Sequence, residues 1–382
     1  MIYFDNAATS FPKPPQVARA VAKAVESFGN PARGSHPFSL AAMRAIERAR
    51  SRAATLFHCG DPGRIAFTKN VTEALNLAVN SLDGHIVTTE AEHNSILRPV
   101  YRRGNFSLVP VDECGRYDLA DIASHCRADT EAIVVAHASN LTGMIAPVAE
   151  LGSLCREKGI FLIVDAAQSA GLLDIDMEAQ GIDALCFTGH KALYGLQGTG
   201  GISLGPRFTP RPLLVGGSGS HTFSTEQPQT LPELLEAGTP NSHGIASLSA
   251  GLAFVLERGP AALWKAADAL AMRFLAGIRG ISGLRLYGDY ATPRRMPIVA
   301  LNLGNRDSSE VAAFLADGYG IAVRAGAHCA PLLHKRFGTE KQGAVRFSFS
   351  HFNTPDEIDI AVSALMDAAE NFSGAAGWAR NA

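Results

Sequence analysis

The chain lacks most of the features that identify a protein by inspection. Its six cysteines (Cys59, Cys114, Cys126, Cys155, Cys186 and Cys329) form no Cys-x-x-Cys and no paired spacing. That argues against a cysteine-built zinc site and against a disulfide framework. Free thiols fit a reducing cytoplasm, which is the expected location. There is no basic run, and the net charge is −2, so no nucleic-acid partner is expected. No uncharged apolar run reaches the length of a membrane span. The opening Met1-Ile2-Tyr3-Phe4-Asp5-Asn6 has neither a basic region nor an apolar core, so no signal peptide is expected. Internal repeats and low-complexity segments are missing too. What remains is ordinary globular composition, 47% hydrophobic and 18% charged, over 382 residues, enough for about two domains.

Within that composition, short apolar runs alternate with amphipathic stretches. Strands are expected at 64–67, 85–88, 106–109, 132–136, 161–164, 184–187 and 201–204. Helices are expected at 16–28, 40–57, 71–81, 95–102, 119–124 and 148–158. Apolar strands of four or five residues alternating with helices predict a mostly parallel α/β sheet covered on both faces. Residues 206–243, rich in Gly, Pro, Ser and Thr, read as a long functional loop region. Two helices follow, at 245–256 and 261–278. From about residue 284 the pattern changes to that of a smaller α+β domain with an antiparallel sheet.

The most informative stretch is Phe187-Thr188-Gly189-His190-Lys191, a lysine just past a strand and just before a glycine-rich run. Upstream, the strand at 161–164 ends in Asp165, followed by Gln168. Ligands of open α/β sheets collect at the carboxyl ends of strands. A strand-end lysine with a strand-end carboxylate suits pyridoxal 5′-phosphate (PLP). The lysine forms the Schiff base, and the carboxylate keeps the ring nitrogen protonated so that the ring accepts electrons. Taken singly, Lys191 would be a solvated surface residue and Asp165 a helix cap. Phe67 to Glu73 runs from a strand into a helix, where backbone N–H groups at Val71 and the Thr72 hydroxyl can hold a phosphate. The same residues also spell a capping box, Asn70 with Glu73. Thr188 and His190 would converge on that phosphate. His93 follows a strand and can stack on a ring or relay protons. Asn140 can bond the cofactor phenol oxygen or a substrate carboxylate; its ordinary role would be in a turn. Cys329 lies in a loop with His328 beside it and Arg324 five residues back, unlike the strand thiol of Cys186. Arg324 and Arg346 can clamp a carboxylate or form surface ion pairs.

Together these residues resemble the fold-type I, class V aminotransferase family, and within it the cysteine desulfurases and selenocysteine lyases, over essentially the whole length. The opening Tyr3-Phe4-Asp5-Asn6-Ala7-Ala8-Thr9 is similar to the family's N-terminal arm. Gly29-Asn30-Pro31 through Arg33-Gly34-Ser35-His36 is similar to its substrate-side loop. Thr72, His93, Asn140, Asp165, Gln168, Thr188, His190 and Lys191 match its cofactor residues. Glu236-Ala237-Gly238-Thr239-Pro240-Asn241 is similar to a segment that reaches the phosphate of the other subunit. The resemblance therefore implies a PLP-dependent homodimer with shared active sites and Thr239 on the cofactor. It implies an arm (1–12), a large PLP-binding domain (13–265) and a small C-terminal domain (266–382) carrying the Cys329 loop. Arg346 would bind the substrate α-carboxylate, with Arg324, Arg33, His36 and Asn140 beside it. The loop from Arg324 to Ala330 resembles the short cysteine loop of the Suf-type branch, which implies desulfuration of L-cysteine through a Cys329 persulfide, with Lys191 and His93 as the other catalytic groups. L-selenocysteine, cysteine C–S lyase activity and delivery of sulfur to an acceptor protein are the family's other implications. No metal is implied.

Overall fold

The computed structural model describes residues 1–31, 34–292 and 294–374. The chain opens with strand β1 (Ile2–Tyr3) and helices α1 (Pro15–Ser27) and α2 (Pro37–Phe57). Then come β2 (Ile65–Thr68), α3 (Val71–Asn80), β3 (His85–Thr89), α4 (Asn94–Arg103), β4 (Phe106–Val109), α5 (Leu119–His125) and β5 (Thr130–Ala136). After them run α6 (Val148–Lys158), β6 (Phe161–Asp165), β7 (Ala184–Thr188) and β8 (Gly200–Leu204). The large sheet has seven strands in the order β2-β8-β7-β6-β5-β3-β4. Only β8 runs against the others, pairing antiparallel with both β2 and β7.

The strands form where they do because both of their faces find apolar cover. In β5, Ile133 and Val135 enter one core, while Ala132 and Val134 enter the core on the opposite face. β6 and β7 alternate in the same way, with Leu162, Val164, Leu185 and Phe187 on one side and Ile163, Ala184 and Cys186 on the other. Each such large side chain contributes roughly 1.5–3 kcal/mol on burial. The run of apolar residues without polar alternation is thus the mark of a strand sandwiched between helices.

Between β8 and α7 (Ser242–Arg258) there is no helix or strand, as expected of the 206–243 region. Helix α8 (Pro260–Ile278) follows, then β9 (Leu284–Tyr287), β10 (Ile298–Leu303), α9 (Ser308–Tyr319), β11 (Ile321–Ala322), α10 (Pro331–Phe337), β12 (Val345–Ser348) and α11 (Pro355–Gly374). The second sheet is antiparallel, in the order β12-β10-β9. This is the smaller α+β unit expected from the sequence. Leu263 of α8 belongs to the large core, whereas Leu270, Phe274 and Ile278 belong to the small one. We propose that the chain divides near residue 265, within this continuous helix. The N-terminal segment crosses to the small unit: β1 pairs in parallel with β11, and Phe4 packs on Phe347 and Phe349. Among the described residues, no helix is long and apolar enough to cross a membrane.

Candidate active site

Lys191 lies three residues beyond β7 and lines a cleft of about 360 Å³ together with His93, Asn140, Asp165 and Gln168. The parallel register brings them together. The last residue of β6, Asp165, stands beside Cys186 of β7 and Ala136 of β5, so loops after all three strands open on one edge. Burial lowers the Lys191 amine to about 8; Asp165 opposes the shift, and Arg346 adds to it. Asp165 is 4% exposed. Its Oδ1 accepts the Ala167 N–H at 2.8 Å, and burial raises its pKa. Gln168 donates Nε2–H to the Ala7 carbonyl at 3.1 Å, which ties the cleft to the N-terminal arm.

Two further segments bound the cleft. Val71 and Thr72 open α3, whose cap is formed by Asn70 Oδ1 accepting the Glu73 N–H, with Glu73 accepting in return from the Lys69 N–H. The capping arrangement of Asn70 with Glu73 expected from the sequence is therefore present at the start of α3. The Thr72 hydroxyl lies 2.8 Å from the Ser95 hydroxyl, which lies 2.9 Å from His93 Nδ1. Ser95 N–H also donates to that nitrogen at 3.0 Å, so the His93 proton sits on Nε2. Burial, followed by Lys191 and Arg346, lowers His93 to about 4, leaving its ring neutral. His190 is likewise lowered to about 4, with burial the main cause, and its Nδ1 is 3.1 Å from the Thr9 hydroxyl. Thr188 is buried with its hydroxyl unpartnered.

Asn140 binds the cysteine loop to the cleft. Its Nδ2 donates to the His328 carbonyl at 2.6 Å, and the Cys329 carbonyl accepts the Asn94 N–H at 2.8 Å. His328 and Cys329 both take left-handed backbone, with φ of 48° and 55°. This conformation is uncommon for residues with a side chain. The turn leaves Cys329 exposed while Cys155 and Cys186 are buried, their thiols pushed up by burial, Cys155 to about 12. Arg346 is 2% exposed. Its Nη1 donates to the Asn140 carbonyl at 3.0 Å and its Nη2 to Asp5 Oδ1 at 3.0 Å. Arg324, on the exposed side, donates Nε–H to the same carboxylate.

Of the expected residues, Val71, His93, Asn140, Asp165, Gln168 and Lys191 line this cleft, whereas Thr239 and His36 lie apart from it. Thr239 is exposed and lines a different cleft of about 910 Å³ with Phe67, Lys69 and Glu73. His36 is exposed and caps α2, its Nδ1 accepting the Ser39 N–H at 3.3 Å. Arg33 lies outside the described residues. The structure adds residues that the sequence reading did not single out. Ser95 bridges Thr72 and His93. Glu92, fully buried, accepts from Thr89 Oγ1 at 2.6 Å and from Ala136 N–H at 2.7 Å. Asp5 joins both arginines. A His-x-Ser pair at a helix start is a legible local signal for Ser95; Asp5 has none beyond its place in the arm.

A seven-stranded mostly parallel sheet joined to a small antiparallel α+β unit is the fold of the fold-type I transferases. The description "Aminotransferase class-V" matches residues 2–360, and the chain belongs to that family, among its cysteine desulfurase-like members. It is 32% identical to a probable cysteine desulfurase of Methanothermobacter thermautotrophicus, covering 96% of this chain and 94% of the relative. It is also 32% identical to a cysteine desulfurase of Dickeya dadantii, over 96% and 91%. The apo structure of the cysteine desulfurase from Thermococcus onnurineus NA1 superposes with a TM-score of 0.90 at 31% identity, covering 97% of this chain and 95% of that one.

Proposed function

We propose that the protein is a PLP-dependent cysteine desulfurase that converts L-cysteine to L-alanine and leaves the sulfur on Cys329 as a persulfide. The observation that carries this reading is the anchored turn at residues 328–329. The turn carries an exposed Cys329 and is tied through its His328 carbonyl to Asn140, which lines the cleft of Lys191, and through its Cys329 carbonyl to Asn94, next to His93. Similarity to proteins named as cysteine desulfurases supports it.

The residues present fit PLP. Thr188 Oγ1, Asn140 Oδ1 and Arg346 Nε are buried polar atoms without protein partners, as expected where a polar ligand completes the site. Lys191 would hold the aldehyde carbon, Asp165 the ring nitrogen, Gln168 the phenolate and His93 the ring. Val71, Thr72, Thr188 and His190 would hold the phosphate. When bound, the cofactor supplies an electron sink for the substrate α-carbon.

The chain's own groups do the rest. Arg346, steadied by the Asn140 carbonyl, binds the substrate carboxylate. An amine lowered to about 8 by burial is partly neutral near neutral pH, so Lys191 can take and return the α-proton. The Cys329 sulfur attacks the substrate sulfur: the S–S bond forms, the Cβ–S bond breaks, and its electron pair stays with the substrate carbon. Protonation of that carbon gives L-alanine, and Cys329 is left as a persulfide for an acceptor. The protein would act in the cytoplasm as a homodimer, with Thr239 reaching the partner's site.

The test is incubation of the PLP-loaded protein and its Cys329→Ser variant with L-cysteine and a reductant, with alanine, sulfide and pyruvate measured together. Alanine and sulfide from the wild type, lost in the variant, are expected. Pyruvate would instead mean a C–S lyase. Turnover confined to L-selenocysteine would mean a selenocysteine lyase.

A further inference from the structure

The small unit grips the turn that carries Asn140 at two nearby carbonyls. Arg346 of β12 donates Nη1–H to the Asn140 carbonyl at 3.0 Å. Two residues on, the Thr142 carbonyl accepts from Arg295 Nη2, which also donates to the Ile298 carbonyl at 2.9 Å. Arg295 Nη1 donates to the Asp289 carbonyl at 3.2 Å, and its guanidinium carbon lies 3.7 Å from the centre of the Tyr290 ring. Arg295 is 3% exposed. Beside it, the Met296 N–H donates to the Gly143 carbonyl at 2.8 Å. Gly143 takes a φ of 72°, and a Cβ there would meet the Met296 carbonyl oxygen at 3.0 Å and Arg295 Nη2 at 3.1 Å. The turn is thus seated directly on residues 295 and 296.

Burying a guanidinium is costly unless its donors are paired. These bonds go to backbone carbonyls of three segments, so the planar fork joins three points of the chain at once. We infer that Arg295 is a positioning residue. It holds the turn at residues 139–143 on the small unit, so that Asn140 meets both Arg346 and the Cys329 turn. Asn140 is the relay: its carbonyl accepts from Arg346, and its Nδ2 donates to the His328 carbonyl at 2.6 Å. A shift of the turn would move both contacts together. Arg295 itself does not line the cleft of Lys191. The inference rests on the proposed roles of Arg346 and Cys329.

The test is residue-resolved hydrogen exchange on the PLP-loaded protein, comparing the wild type with Arg295→Gln. Three amides serve as reporters. Met296 N–H bonds the Gly143 carbonyl, Asn94 N–H bonds the Cys329 carbonyl, and Asp183 N–H bonds the Leu162 carbonyl in the large sheet. Loss of the guanidinium should speed exchange about tenfold at both Met296 and Asn94 and leave Asp183 unchanged. A merely local role would speed Met296 alone, and that result would overturn the inference. An equal rise at Asp183 would mean general destabilisation and would overturn it too. If Arg295→Gln does not fold, Gly143→Ala presses on the same contact from the other side and is judged by the same reporters. L-alanine affinity, read from cofactor absorbance, should also fall about tenfold in Arg295→Gln, as misplacement of binding groups implies. Unchanged affinity there, beside weakened binding in Arg346→Gln, would overturn the inference. Unchanged affinity in Arg346→Gln would instead refute the role of Arg346, a separate failure, and the exchange rates would still decide the role of Arg295.

Discussion

Three residues lend themselves to direct tests. The Lys191 amine, lowered from 10.5 to about 8 by burial, should make covalent uptake of PLP by the cofactor-free protein rise with pH through about 8. A stopped-flow pH series reads this, and a midpoint near 10.5 would contradict it. Glu92 is raised from 4.5 to about 8 by burial. Between those values the folded state holds a proton that the unfolded chain lacks, so this group's contribution falls as pH rises, by up to ~1.4 kcal/mol per pH unit. Glu92→Gln can still accept the Ala136 N–H. It should flatten the loss of stability between about pH 5 and 8 in urea melts. Ser95 fixes the His93 tautomer through its N–H and its hydroxyl. Ser95→Ala removes the hydroxyl link to Thr72 and should weaken PLP affinity by about 1 kcal/mol, the worth of one hydrogen bond, measured by equilibrium dialysis.

At the scale of elements, the loop after Lys191 is set by how closely helix α7 approaches it. A Cβ on Gly251 would collide with the Leu193 carbonyl, and one on Gly195 would meet the α7 backbone at Leu248 at 3.0 Å. Alanine normally favours a helix interior over glycine by about 1 kcal/mol. Here the close approach reverses the sign. Gly251→Ala should destabilise by roughly 1–3 kcal/mol, the usual cost of overpacking, and should reduce PLP uptake because Lys191 lies on that loop. Thermal melts and cofactor absorbance check both. The strands of the large sheet were legible as continuous apolar runs because both faces are covered. Two small elements were less so. Helix α10 has seven residues, too short for a clear period, and β11 reaches only Ile321–Ala322 because Arg324 turns away to pair with Arg346 across a single bridge.

For the molecule as a whole, the N-terminal arm links the two units. The His190 carbonyl, immediately before Lys191, accepts from Ser10 N at 3.1 Å, Thr9 Oγ1 at 3.0 Å, Ser10 Oγ at 3.2 Å and Lys13 Nζ at 3.2 Å. Only a few residues earlier, Phe4 fills the small core, with no exposed surface. Phe4→Ala should therefore cost about 3–5 kcal/mol as a core truncation. It should also loosen the Lys191 site, seen as faster loss of bound PLP alongside a lower urea midpoint. Intact PLP retention in a destabilised variant would show that the arm's two anchorages are independent.

The sequence alone determined the local positions of the candidate site residues. Thr188 and Asp165 stand at strand ends, Lys191 three residues past one, His93 at a helix start and Cys329 in a Gly- and Ala-bearing loop. Such placements follow from apolar periodicity and caps, which are short-range. Only the tertiary structure decided what these groups touch. Arg346 and Asp5 are hundreds of residues apart along the chain yet share a hydrogen bond. Asn140 reaches across to His328 in the same way. No periodicity reports such pairs, because they exist only once the arm, the sheet and the small unit have packed together.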